Sequence, residues 1–299
     1  MPKTMAAPVS SRPLERRANK ASHGDGVIRR FVRNPLSCVG LFVLLVFVLA
    51  AVLAPVIATH DYTKIDPLHA NLAPDSTYLF GTDTYGRDLF SRMVYGTRYS
   101  LAIGICAQAI SVIFGVVIGA FAGYFGGLAD NVILRICDII QAIPSTLLAI
   151  VISQALGSGF VPTVIALGAS SVPQTIRLLR SSILGVRGQE YVEAAQCIGC
   201  GSLRIMFRHV VPNSLTPIIV ACSNGIGRSI LTSAGLSYVG LGIQDPYAEW
   251  GAMMSLAKDN IRYFPYQIII PGIAIALVVL AFSLIGNGLR DALDPKLRA

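Results

Sequence analysis

The sequence predicts an all-α integral membrane protein with six transmembrane helices, and three observations carry that prediction. Hydrophobic residues make up 54% of the chain and charged residues only 13%, about half the roughly 25% of an ordinary soluble domain. Mean hydropathy is +0.63, which suits a bilayer better than water as solvent. Apolar runs long enough to cross at about 1.5 Å per residue recur at 36–58, 100–124, 132–156, 160–179, 215–238 and 266–288. No long polar block separates them. The expected organisation is a cytoplasmic basic tail over 1–35 and a single membrane domain over 36–299, with no room for an ATPase.

In the tail, Lys3, Arg12, Arg16, Arg17, Lys20, Arg29, Arg30 and Arg33 stand against Glu15 and Asp25. Residues 27–33 suit a short amphipathic helix lying on the membrane. Basic residues beside a first span fix topology and touch anionic lipid, so lipid and not nucleic acid is the expected partner. The first span is too long for a cleaved leader and carries Pro55 near its outer end. In the first loop, 60–99, residues 86–100 read as a helix entering the second span. Asp83 and Asp88 beside Arg87 read as a turn, a capping acid and an ion pair, not as a catalytic or metal site.

The second span holds a stripe of small residues, Gly104, Ala107, Ser111, Gly115, Gly119 and Gly123, which lets helix backbones approach closely in lipid. The third contains Arg135, Asp138, Gln141 and Pro144. Pro162 and Pro173 predict kinks in the fourth. Arg228 lies within the fifth, where a charge costs about 2.5 kcal/mol or more unless it meets a cavity or a partner. It either lines a translocation path or snorkels outward. The segment 240–251 is too polar to cross and is expected to dip back into the outer mouth, with Tyr247 and Trp250 at the interface. Asp245 and Glu249 there are candidate outer-gate residues, against the plainer reading of solvated loop acids.

The stretch 180–213 is the long polar interruption of the second half. Glu190 and Glu193 suit the first turn of a short helix, where the exposed N–H groups favour negative charge. Ala194 and Ala195 permit close approach of another surface, and Gly199 and Gly201 supply the stop. Arg204, Arg208, His209, Pro212 and Asn213 follow. The six cysteines form no disulfide framework, since the first outer loop contains none, and Cys197-x-x-Cys200 has no second pair to complete a metal site.

Of the 24 Lys and Arg residues, the outer segments hold Lys64, Arg87, Arg92, Arg98, Lys258 and Arg262, and most of the others fall on inner segments. The positive-inside rule places both termini and the 180–213 stretch in the cytoplasm.

Glu193-Ala194-Ala195, three residues, Gly199, then His209-x-x-Pro212-Asn213 resembles the EAA loop of binding-protein-dependent ABC importer permeases. Phe80-Gly-Thr-Asp83-Thr-Tyr-Gly86-Arg87-Asp88, Leu236-Ser-Tyr-Val-Gly240-Leu-Gly242 ahead of Trp250-Gly251, and Gly288-Leu-Arg290-Asp291-Ala-Leu-Asp294-Pro295 narrow the resemblance to the C-type subunit of the dipeptide, oligopeptide and nickel permease group. Asn287 and Thr232 depart from residues often acidic there, which bears only on substrate.

The resemblance implies a cytoplasmic coupling helix between the fourth and fifth spans, with Glu190, Glu193, Ala194, Ala195, Gly199, Arg204, His209 and Pro212 in ATPase coupling. It implies a second permease subunit, two cytoplasmic ATP-binding subunits and an extracytoplasmic binding protein delivering di- or oligopeptides. Nickel chelates, glutathione or another small solute are the alternative cargo. No cofactor, metal or catalytic residue is expected in this chain. A secondary transporter would want ionisable residues in several spans and an internal repeat, and the spans offer Asp138 and Arg228 without a repeat.

Overall fold

The computed structural model describes residues 23–293, which are overwhelmingly helical; their β structure is one isolated bridge between Thr82 and Asp88. Residues 1–22 of the basic tail, and Asp294, Pro295, Lys296 and Arg298, lie outside the described residues.

The chain enters through α1 (His23–Arg33) and α2 (Pro35–Val52). Asn34 caps α2, its side-chain oxygen accepting from the Leu36 amide at 3.1 Å, and Pro35 takes the first position, where a missing N–H costs nothing. The apolar run of the first span does not stay one helix. It breaks at Leu53 and restarts as α3 (Ala54–Ile57), because Pro55 cannot donate back into the preceding turn.

The expected entry helix and the second span prove to be one 37-residue helix, α4 (Leu89–Phe125). Asp88 begins it, accepting from the Ser91 amide at 3.0 Å, as a capping acid should. The third span differs most from expectation. Residues 132–156 form two helices, the latter part of α5 (Gly127–Gln141) and α6 (Ser145–Leu156), at 85° to each other. Pro144 has no N–H and disfavours helical geometry in Ile143, so the helix ends before it.

α7 (Phe160–Val186) runs past the expected end of the fourth span, with Pro162 in its first turn and Pro173 inside it. Three short pieces follow: α8 (Glu190–Cys197), α9 (Ser202–Ile205) and, beyond a π-turn at Met206–Val210, α10 (Val211–Ser214). The 202–214 arm meets α11 (Thr216–Tyr238) at 57°. α12 (Trp250–Ala257) and α13 (Tyr266–Leu293) complete the fold. Among the described residues, α2, α4 and α13 are long and apolar enough to cross a bilayer, and counting each bent pair as one span gives up to five. α7 has the length, but Gln174, Arg177 and Arg180 interrupt its second half.

α4 is the hub. Its small residues admit neighbours: an added Cβ would lie 2.5 Å from Thr175 at Gly115, 2.9 Å from the Ile176 carbonyl at Gly119 and 2.5 Å from Ile230 at Gly104. The stripe is therefore packing surface against α7 and α11. Buried apolar clusters form at two ends of the bundle, one around Leu89, Met93, Trp250 and Phe282, the other around Leu179, Ile183, Val192, Ile205 and Met206. Trp250 is fully buried in the first, its indole donating to the Met93 carbonyl at 3.2 Å. It is a core residue and not the interfacial anchor its type suggested.

Candidate functional site

α8 is divided lengthwise. Val192 and Ala195 are buried against Ile205, Met206 and Val210, while Glu190, Glu193, Ala194 and Cys197 are exposed. Those four positions recur at i, i+3, i+4 and i+7, so they form one face of the helix. Ala195 thus packs inward, and Ala194 is the small residue on the outer face. The helix stops through a Schellman arrangement: the Gly199 amide donates to the Gln196 carbonyl at 2.9 Å and the Cys200 amide to Ala195 at 3.1 Å. Gly199 has φ +80°, which glycine adopts without strain.

The return arm is equally determined by sequence. Pro212 lacks the N–H that an α-turn would use, and the Val211 amide reaches back to the Met206 carbonyl, five residues away, as a π-turn. Asn213 donates to the His209 carbonyl at 2.6 Å. His209 is half-buried, and Arg204 and Pro212 are exposed. Behind this arm, Arg180 clamps Asp130 with two hydrogen bonds of 2.5 Å, Arg177 pairs with Asp138, and Arg187 donates to the Gly123 and Tyr124 carbonyls at the end of α4. These bonds tie α7 and Arg187 to α4 and α5, and α8 joins them through the apolar cluster that Val192 and Ala195 share with Leu179 and Ile183 of α7.

The opposite end carries a polar lock. Arg87 bonds Asp83 at 2.7 Å and Asp245 at 2.7 and 2.9 Å, and Arg92 reaches Asp245 at 3.4 Å. Asp245 is consequently ion-paired and only half exposed. Glu249 is 1% exposed, so the reading of a solvated loop acid is wrong for it. It caps α12, accepting from the Ala252 amide at 2.8 Å, and burial pushes its carboxyl above the usual carboxylate range. Sequence reasoning separated Arg87 from Asp245; the loop between α11 and α12 folds back and brings them together.

Between the two ends lies a cavity of about 240 Å³ walled by α4, α7 and α11, among whose residues are Gln108, Ser111, Gln174, Thr175, Asn224 and Arg228. Arg228 projects there and donates to Gln174 Oε1 at 3.1 Å. Gln108 and Gln174 were not singled out by sequence; the signal was an amide in the otherwise apolar middle of α4 and another where α7 turns polar.

An all-helical bundle with a short glycine-stopped helix held at one end, a polar lock at the other and a mid-bundle polar cavity has the form of a transporter half. Residues 115–299 match the family described as binding-protein-dependent transport system inner membrane component, and residues 23–74 match the N-terminal TM domain of oligopeptide transport permease C. The chain belongs to this family of ABC importer permeases, multi-pass components of the inner membrane. It is 41% identical over 290 residues to the dipeptide transport system permease protein DppC of Alkalihalophilus pseudofirmus, covering 97% of this chain and 95% of the relative. It is 44% identical over 275 residues to the glutathione transport system permease protein GsiD of Pectobacterium atrosepticum, covering 91% and 90%. The oligopeptide transport system permease protein OppC of Bacillus subtilis is 38% identical over 269 residues, covering 90% and 88%. The fold also resembles a chain of the inward-facing MetNI methionine ABC transporter, with TM-score 0.56 at 16% identity over 68% of this chain and 97% of that one.

Proposed function

We propose that this chain is the C-type permease subunit of an ATP-driven importer of di- or oligopeptides. It pairs with a second, related permease, two cytoplasmic ATP-binding subunits that carry out the hydrolysis, and an extracytoplasmic binding protein. In this reading the membrane domain, 36–299, crosses six times: α2, α4, the bent α5–α6 pair, α7, α11 and α13. The tail, 1–35, and the C terminus are cytoplasmic.

The division of α8 into a rooted face and a free face is the observation that carries the coupling role. A short helix transmits force only if one side is anchored and the other engaged. Val192 and Ala195 anchor it in the core, and the free face offers two carboxylates beside the small Ala194. Glu190, Glu193, Ala194 and Cys197 seat in a cleft of an ATP-binding subunit. Ala195 and Gly199 shape the helix, and Arg204, His209 and Pro212 hold the return arm. Closure of the ATP-binding pair on nucleotide moves α8, and the ends of α4, α5 and α7 move with it as a rigid body. Solute passes by Arg228, while Asp245 and Glu249 belong to the outer gate as structural members rather than as ligands of the cargo.

The test is co-purification of the tagged complex in detergent, wild type against Glu193→Lys and Ala194→Trp. Among the described residues both positions are exposed, so both variants are expected to keep the fold and lose the ATP-binding subunits while retaining the second permease. Retention of both partners by both variants rejects the coupling role. A second cargo reading, glutathione, is favoured by the relative that shares 44% identity; inhibition of labelled dipeptide uptake by unlabelled glutathione, against an unlabelled dipeptide, separates the two.

A further inference from the structure

We propose that Arg228 and the cavity around it form a carboxylate subsite on the solute path, an inference that rests on the importer reading and gives its path a chemistry. Arg228 stands near the middle of α11, where a charge is costly unless a cavity or counter-charge receives it. Among the described residues it makes no ion pair. Its hydrogen bond goes to Gln174 Oε1 at 3.1 Å, a neutral acceptor that leaves the charge uncompensated.

Among the described residues, the charged groups in the cavity wall have one sign: Arg228 and Arg290 line it, with no aspartate or glutamate beside them. Ser145, another lining residue, is the first residue of α6, a 12-residue helix with no side-chain cap and no acid in its first turn. Its unfilled N–H groups add positive potential. The remaining polar wall is neutral: Gln108, Gln174 and Asn224 supply amides that both donate and accept. At Gly225 an added Cβ would come within 2.1 Å of Gln108 Oε1, so glycine there leaves Gln108 its place in the wall.

Such a wall is complementary to the carboxylate end of a peptide, whose protonated amino end is left outside the cationic wall. A guanidinium meets a carboxylate with two parallel N–H···O bonds. Peptides share a terminal carboxylate whatever their side chains, so one fixed arginine serves a mixed cargo, and the amides take the adjoining peptide groups. Selection among peptides then falls to the binding protein, and the path asks only for the acid end.

Two measurements on the reconstituted wild-type complex and its variants test this. In the first, phenylglyoxal modification of Arg228 is mapped by mass spectrometry without binding protein, in the presence of dialanine or dialanine amide at equal millimolar concentration. Protection by the acid and not by the amide is expected. Equal protection, none, or an unreactive Arg228 overturns the proposal. In the second, uptake of dialanine is compared in Arg228→Gln and Arg228→Lys, with co-purified subunits as the check on assembly. Loss of a charge-assisted pair raises KM about tenfold or more in Arg228→Gln, and Arg228→Lys recovers much of it. Equal effects of the two substitutions, or loss of the second permease in Arg228→Gln, would place the missing carboxylate elsewhere, the latter on the partner chain. If wild type brings down no ATP-binding subunit and imports no dipeptide, the importer reading fails, and the labelling contrast decides on the subsite alone.

Discussion

Glu249 has lost almost all contact with water yet keeps an ionisable group, and its hydrogen bond from Ala252 offsets only part of that loss. Burial raises its carboxyl above the ordinary value of 4.5, so the folded protein takes up a proton at a higher pH than the unfolded chain does. The sign follows from linkage. Above the raised folded value the ionised group penalises folding in full, and the penalty is relieved as pH falls from that value toward the unfolded one. Glu249→Gln retains an acceptor for the cap and carries no such penalty. Its unfolding temperature in detergent is expected to exceed that of wild type at alkaline pH and to converge with it as pH falls toward the ordinary carboxyl value of 4.5. A difference that stays constant over this range would show that burial does not perturb the carboxyl. The identity of Glu249 as a loop acid was plain from sequence. Its burial was not, because it depends on Trp250 and Gly251 wedging into the bundle, where an added Cβ at Gly251 would lie 2.4 Å from the Ala234 carbonyl.

At the scale of elements, the small-residue stripe of α4 decides which helices can be neighbours. Ser111 and Thr175 share a buried hydrogen bond of 2.8 Å one turn from Gly115, whose added Cβ would collide with Thr175 at 2.5 Å. Gly115→Val forces α4 and α7 apart and costs about 1–3 kcal/mol by overpacking. Gly185→Val in α7 is the control, since nothing lies within 4 Å of its added Cβ. Thermal unfolding of both in detergent should show a lower midpoint for the first variant alone; equal shifts would mean that helix propensity and not interhelical contact governs. This pattern was legible in the sequence because spacing alone reveals a stripe. The short helix α8 was legible for the same reason, its glutamates, alanines and glycine being local signals of start, surface and stop. The 85° bend between α5 and α6 was less so. Pro144 marked a place for a break, but hydropathy runs unbroken across 132–156, and composition carries no information about direction.

For the molecule as a whole, the sidedness of the bundle is a matter of charge distribution. The end bearing α8 collects Arg177, Arg180, Arg187, Arg204 and Arg208, whereas the end bearing α12 neutralises Arg87 and Arg92 within the lock that holds Asp83 and Asp245. That asymmetry was readable as a count of basic residues. The lock that internalises part of it was not, since it joins residues some 150 positions apart. Pairing lowers the contribution of arginines at both ends, since Arg177 and Arg180 bond Asp138 and Asp130 as Arg87 and Arg92 bond Asp83 and Asp245, and among the described residues Arg187, Arg204 and Arg208 at the α8 end make no ion pair. The cysteines supply a direct test. Cys197 is exposed on α8, while Cys38, Cys106, Cys137, Cys200 and Cys222 are partly or fully buried. A membrane-impermeant maleimide should label Cys197 in inverted vesicles and not in right-side-out ones, and Lys258→Cys, beside α12, should add a site with the opposite preference. An ATP-binding subunit bound over α8 would mask Cys197, so vesicles are compared before and after those subunits are stripped. Labelling of Cys197 from the outer side would invert the bundle, and with it the argument that joins α8 to a cytoplasmic ATPase.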